Sequence, residues 1–316
     1  MKLRLSQLLR SRAAGFLAVL LLAATPLLGF MKNATAATSY RGSIQSQGRQ
    51  RTFVLFAPER GPRKDLPILI MLHGGLGNGS RAAQQTGLAD YVDRLGILAI
   101  FPDAGGAQWN DGRETTDDGL DDVGFLRILI SKAVQTWGGD PSHVFVAGGS
   151  NGGIMAQRMA CDATDAVTAV GVVSANMAQA LGSRCRPSRP IPVILISSTK
   201  DRLMPWNGGV TASSPIFGGK GGKVISALDT FNLWSTFDGC PRPEVSDLAG
   251  IPVKRHVAAG CQSGSQVVLY EIDGGGHGWP GGKDIRGPIA RGMLGEWTNV
   301  ISASALLIEF FKQYGL

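Results

Sequence analysis

The chain has 316 residues, 44% of them hydrophobic, which allows one large or two small domains with a buried core. Its formal charge of +7 is mostly borne by the first 36 residues, where Lys2, Arg4, Arg10, Arg12 and Lys32 stand without an acidic residue, so the remainder carries 7 − 5 = +2. No basic face or stripe remains, which excludes nucleic acid as a partner.

The N-terminus has the layout of an export signal: basic residues, an apolar run over 13–30, then Ala34-Thr35-Ala36. Residues 1–36 are expected to be a signal peptide, cleaved near Ala36 or Ala37. An uncleaved anchor is the competing reading, but Pro26 and Gly29 interrupt a run already short for a span. No cysteine follows the run, so a lipid anchor is not expected. The mature chain is placed outside the cytoplasm, extracellular or periplasmic, with no stable membrane anchor.

Four cysteines in an exported chain favour two disulfides. Of the three possible pairings, Cys161 with Cys185 and Cys240 with Cys261 each close a local excursion. No C-x-x-C or His/Cys cluster suggests a metal, and no cofactor is expected.

Short apolar runs at 51–57, 66–72, 97–101, 144–147, 169–174, 193–197 and 267–272 read as strands. Between and around them, 81–94, 121–137, 151–161, 223–237 and 297–314 read as helices. That alternation predicts an α/β fold with a mostly parallel, doubly wound sheet and a single domain over 39–316. The glycine-rich run 208–222 is the expected mobile surface loop.

At the centre of this order Gly148-Gly149-Ser150-Asn151-Gly152 joins a strand to a helix with the spacing G-x-S-x-G. In such a nucleophile elbow the serine occupies a strained turn, and the flanking glycines permit approaches that a Cβ would block. His73-Gly74-Gly75 follows an earlier strand and points to an oxyanion loop, with the amides of Gly75 and Asn151 as donors and His73 beside the substrate. A plain glycine turn with a packed histidine is the alternative. Asn78-Gly79-Ser80, a little further on, matches a glycosylation sequon. Of four histidines, His277 follows the last strand on the glycine loop 274–278 and is the candidate base. Asp201, after the strand 193–197, is the candidate acid; Asp273 is its rival. Ser150, Asp201 and His277 then stand in the chain order of an α/β-hydrolase triad. Trp109, Trp206 and Trp279 are candidates for the pocket. Asp117, Asp118, Asp121 and Asp122 suggest calcium at first sight, but capping of the following helix is the favoured reading.

The motifs LHGG (72–75), WNDGR (109–113), DDVGF (121–125), GGSNGG (148–153), STKDRLMPWNGG (198–209) and GGGHGWPGG (274–282) together resemble the secreted esterases that include feruloyl and acetylxylan esterases and polyhydroxybutyrate-depolymerase-like proteins. The resemblance runs from about residue 39 to 316 and implies an α/β-hydrolase fold. It also implies a serine carboxylic-ester hydrolase that passes through an acyl-enzyme on soluble or oligomeric esters, feruloyl, acetyl-sugar or short hydroxyalkanoate. Two positions depart from the family. Gly149 stands where a larger apolar residue is commoner, and Thr199-Lys200 replaces a small or glycine-containing approach to the acid. A different class of function, a catalytically silent protein binding carbohydrate or aromatic groups on its tryptophans, uses the same pocket. The sequence carries no signal for the oligomeric state.

Overall fold

The computed structural model describes residues 37–61, 63–212, 221–285 and 287–316; the expected signal peptide, 1–36, lies outside them. Twelve strands are present: β1 (Thr38–Ser46), β2 (Arg49–Ala57), β3 (Leu66–Leu72), β4 (Leu98–Pro102), β5 (Gly139–Gly149), β6 (Ala169–Val173), β7 (Val193–Ser198), β8 (Gly209–Val210), β9 (Lys223–Val224), β10 (Glu244–Asp247), β11 (Val253–Ala258) and β12 (Val267–Ile272). The helices are α1 (Gly79–Thr86), α2 (Val92–Leu95), α3 (Asp122–Trp137), α4 (Asn151–Asp162), α5 (Gln179–Arg184), α6 (Ala227–Phe237), α7 (Pro288–Leu294) and α8 (Ala303–Lys312).

Ten strands form one sheet in the order β1-β2-β4-β3-β5-β6-β7-β12-β11-β10, and β8 pairs with β9 apart from it. From β4 to β12 neighbouring strands are parallel; the β1, β2 side and the β11, β10 side are antiparallel. The expected parallel sheet is therefore present, with antiparallel margins that hydropathy did not reveal. β1 is almost wholly exposed, so its residues are polar and leave no apolar alternation to read.

The central strands are apolar throughout because both faces are covered. Ile68, Ile70 and Leu72 of β3 face one core with residues of α3 and α4, whereas Leu69 and Met71 face a second core with residues of α1 and α8. The disulfides Cys161–Cys185 and Cys240–Cys261 are both formed as expected.

Three helix boundaries differ from expectation. The run 81–94 is broken after α1 because Gly87 takes a left-handed φ of 65° and ends the helix. Residues 223–224 are strand rather than helix; α6 begins only where the Ser226 hydroxyl accepts from the Asp229 amide at 2.9 Å. Likewise α8 starts at its Ser302 cap, not at 297. Of the predicted glycine-rich loop, residues 213–220 lie outside the described residues, and its ends form β8 and β9.

Candidate active site

Ser150 joins β5 to α4 with φ 55° and ψ −126°, a conformation that costs a non-glycine residue about 1–3 kcal/mol. The surroundings enforce it. Its amide donates to Val173 O on β6 at 2.9 Å, and its carbonyl accepts from the amides of Gly153 and Ile154, so the helix begins at once. A Cβ on Gly148 would lie 2.1 Å from the Gly152 carbonyl oxygen, and one on Gly152 would lie 2.3 Å from Leu72 O. Both glycines of the motif are thus required by backbone contacts. Position 149 is bounded differently: a Cβ there would lie 3.4 Å from the indole Cε3 of Trp279.

Asp201 follows β7, and its two carboxylate oxygens have separate partners. Oδ1 accepts from the amides of Leu203 and Met204, each at 2.8 Å, and Oδ2 meets His277 Nδ1 at 2.8 Å. Both side chains are buried. Lys200 is exposed and makes no such contact, so the departure from the family at this point leaves the carboxylate to His277. The rival Asp273 is held by the Thr199 hydroxyl at 3.1 Å. The histidine loop is pinned on three sides: His277 N donates to Leu294 O at 2.6 Å, Gly276 N to Glu296 O at 2.6 Å, and Ser174 Oγ to Gly278 O at 2.7 Å. A proton held at Nδ1 by Asp201 makes Nε2 the basic nitrogen of the ring. Ser150 and His277 border one cleft of about 430 Å³. Elsewhere, His143 pairs with Asp140 at 2.6 Å and His256 with Glu271 at 2.8 Å; neither borders the cleft.

The loop after β3 lies beside the elbow, and Gly75 and Asn151 both border the cleft. Among the described residues neither of their amides donates to a protein acceptor, which leaves both available to an oxyanion. His73 holds this loop in shape. Its Nε2 accepts from the Ala104 amide at 3.0 Å, which places the proton on Nδ1, 2.7 Å from Gly74 O. Burial lowers its pKa, outweighing the opposing hydrogen bond to Gly74. With both nitrogens engaged the ring braces the loop, while His73 itself also borders the cleft.

A second brace comes from Asn151. Its Oδ1 accepts from Trp109 N at 2.7 Å, and its Nδ2 donates to Trp109 O at 3.0 Å and to Asp111 Oδ2 at 2.6 Å. Asp111, fully buried, also receives Arg113 through Nη2 at 2.7 Å and the Thr116 hydroxyl at 2.7 Å. Arg113 continues to Thr211 Oγ1 at 3.2 Å, on the cleft wall. One buried network therefore ties the start of α4 to the WNDGR segment and to the wall beyond the acid.

The remaining expectations divide. Trp109 is fully buried, donates to His73 O at 3.0 Å and stacks near Phe125, so it is core packing and does not border the cleft. Trp206 packs against the core and is also absent from the cleft wall. Trp279 does border the cleft, although its indole nitrogen is turned inward to Ser304 Oγ at 2.9 Å. The four aspartates take separate structural roles. Asp121 caps α3, Asp122 pairs with buried Arg51 at 2.7 Å, Asp117 accepts from the Asn110 amide side chain at 3.1 Å, and Asp118 accepts from Leu120 N at 3.1 Å. Burial raises the Asp122 carboxyl against the pull of the Asn110 amide and Arg51. The sequon residue Asn78 caps α1, accepting from Arg81 N at 2.9 Å. Sequence reading missed Ser174, whose φ of 49° ends β6 against the histidine loop, and the cleft-facing Arg81 and Gln108, which belong to no motif.

Several curated proteins match most of this chain. NocK of Nocardia uniformis subsp. tsuyamanensis, provisionally named an esterase, is 29% identical over 288 residues, 87% of this chain and 83% of that protein. Feruloyl esterase B of Piromyces equi is 30% identical over 228 residues, 70% of this chain but 41% of that longer protein. Among solved structures, an acetyl xylan esterase from Aspergillus awamori superposes with a TM-score of 0.57 at 14% identity, over 80% of this chain and 98% of that one. A thermostable esterase gives 0.55 at 12% identity, over 87% of this chain and 62% of that one. No family model matches.

Proposed function

We propose that this chain, which is similar in sequence to proteins named as esterases and shares their fold, is a serine hydrolase of carboxylic esters. The observation that carries the reading is that Ser150, strained into an elbow, and His277, oriented by Asp201, open onto the same cleft. In this mechanism His277 Nε2 takes the proton as Ser150 Oγ attacks the ester carbonyl, and the oxyanion forms against the amides of Gly75 and Asn151. His277 returns the proton to the departing alcohol. An acyl-enzyme is left on Ser150, and water, activated by the same histidine, releases the acid. Asp201 fixes the imidazole tautomer and stabilises the imidazolium.

The substrates on this reading are soluble or oligomeric esters with feruloyl, acetyl-sugar or short hydroxyalkanoate groups. The relatives named for feruloyl and acetylxylan ester hydrolysis support that class, and so does a cleft of moderate size. Export is part of the same reading, supported by the basic and apolar start of the sequence and by two disulfides.

The test is Ser150→Ala together with labelling by a fluorophosphonate. The wild-type protein labels stoichiometrically at Ser150, and the variant loses about 10⁴- to 10⁶-fold in kcat on 4-nitrophenyl acetate. A folded wild-type protein that takes no label, or a variant with undiminished turnover, overturns the reading.

A further inference from the structure

The cleft wall has an uneven charge. Among the described residues that border it there is no aspartate or glutamate, and the permanent cations are Arg81 and Arg113. Arg113 is committed: buried, it faces Asp111 at 2.7 Å and reaches Thr211. Arg81 is different. It is exposed, and among the described residues its guanidinium has neither an ion pair nor a hydrogen bond; its backbone amide donates to the capping Asn78 Oδ1 at 2.9 Å.

The helix aims it. Residues 78, 81, 82 and 85 border the cleft, the three- and four-residue spacing of a single helical face, with Ala82 buried at the base and Arg81 at the rim. The same wall carries the apolar side chains of Leu76, Leu203, Ile285 and Leu294. Among the described wall residues, an uncommitted cation beside apolar side chains and no bordering carboxylate complement a ligand with a short apolar body and a single negative charge. The carboxylates of neighbouring segments are engaged elsewhere: Asp111 and Asp201 in buried hydrogen bonds, Asp103 with the Gly79 amide at 2.7 Å, and Asp284 with Arg291 at 3.1 Å.

We propose that the cleft selects esters that carry a second, ionised carboxylate, and that Arg81 recognises that group. The inference rests on the hydrolase reading above and names the substrate chemistry of the same site. Hydrolysis is unchanged in its balance: the acyl C–O bond breaks, water supplies hydroxyl to the acyl carbon and a proton to the alcohol. The ionised group takes no part except to hold the ester in register. A guanidinium fork suits a carboxylate, and partial exposure at the rim makes the contact sensitive to salt.

The experiment compares charged and neutral partners at low ionic strength, each rate divided by that of hydroxide hydrolysis. Mono-4-nitrophenyl succinate against 4-nitrophenyl butyrate puts the charge on the acyl side; 4-acetoxybenzoate against phenyl acetate puts it on the alcohol side. One charged ester is expected to exceed its neutral partner in kcat/KM by about tenfold, about 1.4 kcal/mol, chiefly through KM. Which pair does so identifies the end that faces Arg81. Arg81→Gln brings that ratio close to one, Arg81→Lys keeps part of it, and 0.5 M NaCl lowers it in the wild type. Equal rates for charged and neutral esters in the wild type, or a ratio that survives Arg81→Gln, overturn the proposal while leaving the hydrolase reading intact. Absence of all turnover, with Ser150 unlabelled by fluorophosphonate, overturns both.

Discussion

Replacement of Asn151 by alanine separates two roles of that residue, because its backbone belongs to the proposed oxyanion site and its side chain to the brace behind it. The side chain makes three hydrogen bonds, two to the backbone of Trp109 and one to the buried carboxylate of Asp111. Removing it strands the Trp109 amide and carbonyl in the core, where an unmet polar group costs about 1–3 kcal/mol. Asp111 keeps Arg113 and Thr116, so its charge stays compensated and adds little. The expected loss of stability is about 3–5 kcal/mol, a fall in Tm of roughly 10 °C for a domain of this size. Freed from its tether, the first turn of α4 also lets the 151 amide drift from the oxyanion position, and kcat falls about 10- to 100-fold, within the range for loss of one such donor. KM for a small ester changes little, since the brace touches no substrate. Calorimetry on the oxidised protein and steady-state kinetics with 4-nitrophenyl acetate measure the two effects. A variant that melts within 1 kcal/mol of wild type, or one that loses stability without loss of kcat, refutes the link between brace and oxyanion site.

Asp238 gives a pH-dependent prediction. It is fully buried, accepts from the Ile191 amide at 3.0 Å and from the Ser265 hydroxyl, and burial raises its pKa from 3.8 to about 6. A folded-state pKa above the unfolded value means that the native protein binds the extra proton between these two pH values. This group's stabilisation is therefore intact below about pH 4 and is lost as pH rises through 6, at most about 3 kcal/mol. Asp238→Asn is expected to stabilise by about 1–2 kcal/mol at pH 7.5 and by nothing at pH 4.5 in urea unfolding; a loss at pH 7.5 counts against the argument. Replacing Cys240 and Cys261 by serine opens a loop of separation 21 and is expected to cost about 3 kcal/mol by chain entropy, read by the same unfolding assay.

The parts of this protein legible in its sequence are those where local chemistry and position coincide. The elbow was legible because Gly148 and Gly152 answer backbone contacts made within a few residues of Ser150. Asp201 was preferred to Asp273 because the latter stands only four residues before His277 on the same loop, and the pairings of the four cysteines came from proximity along the chain. The tryptophans were misjudged for a physical reason: a place next to a motif does not say which way an indole turns. Trp109 follows a strand but turns inward to His73, and Trp206 packs on the core, so two of three expected platforms are not on the cleft. The brace was illegible because its bonds join residues 109–116 to 151 and 211, a separation that no local pattern carries. β1 and β10 were missed because exposed margins need no apolar residues.

Gly149 and Trp279 share a single parcel of space beside the nucleophile. With only hydrogen at position 149, the indole can move up against the elbow, to the distance at which a Cβ would already touch it. The bulk that a larger residue before the serine could supply comes here from the loop of the base. Size at one position must then be exchanged for size at the other. The turn that presents the nucleophile and the loop that carries its histidine thus share one boundary, and a side chain larger than alanine at 149 would have to displace the indole.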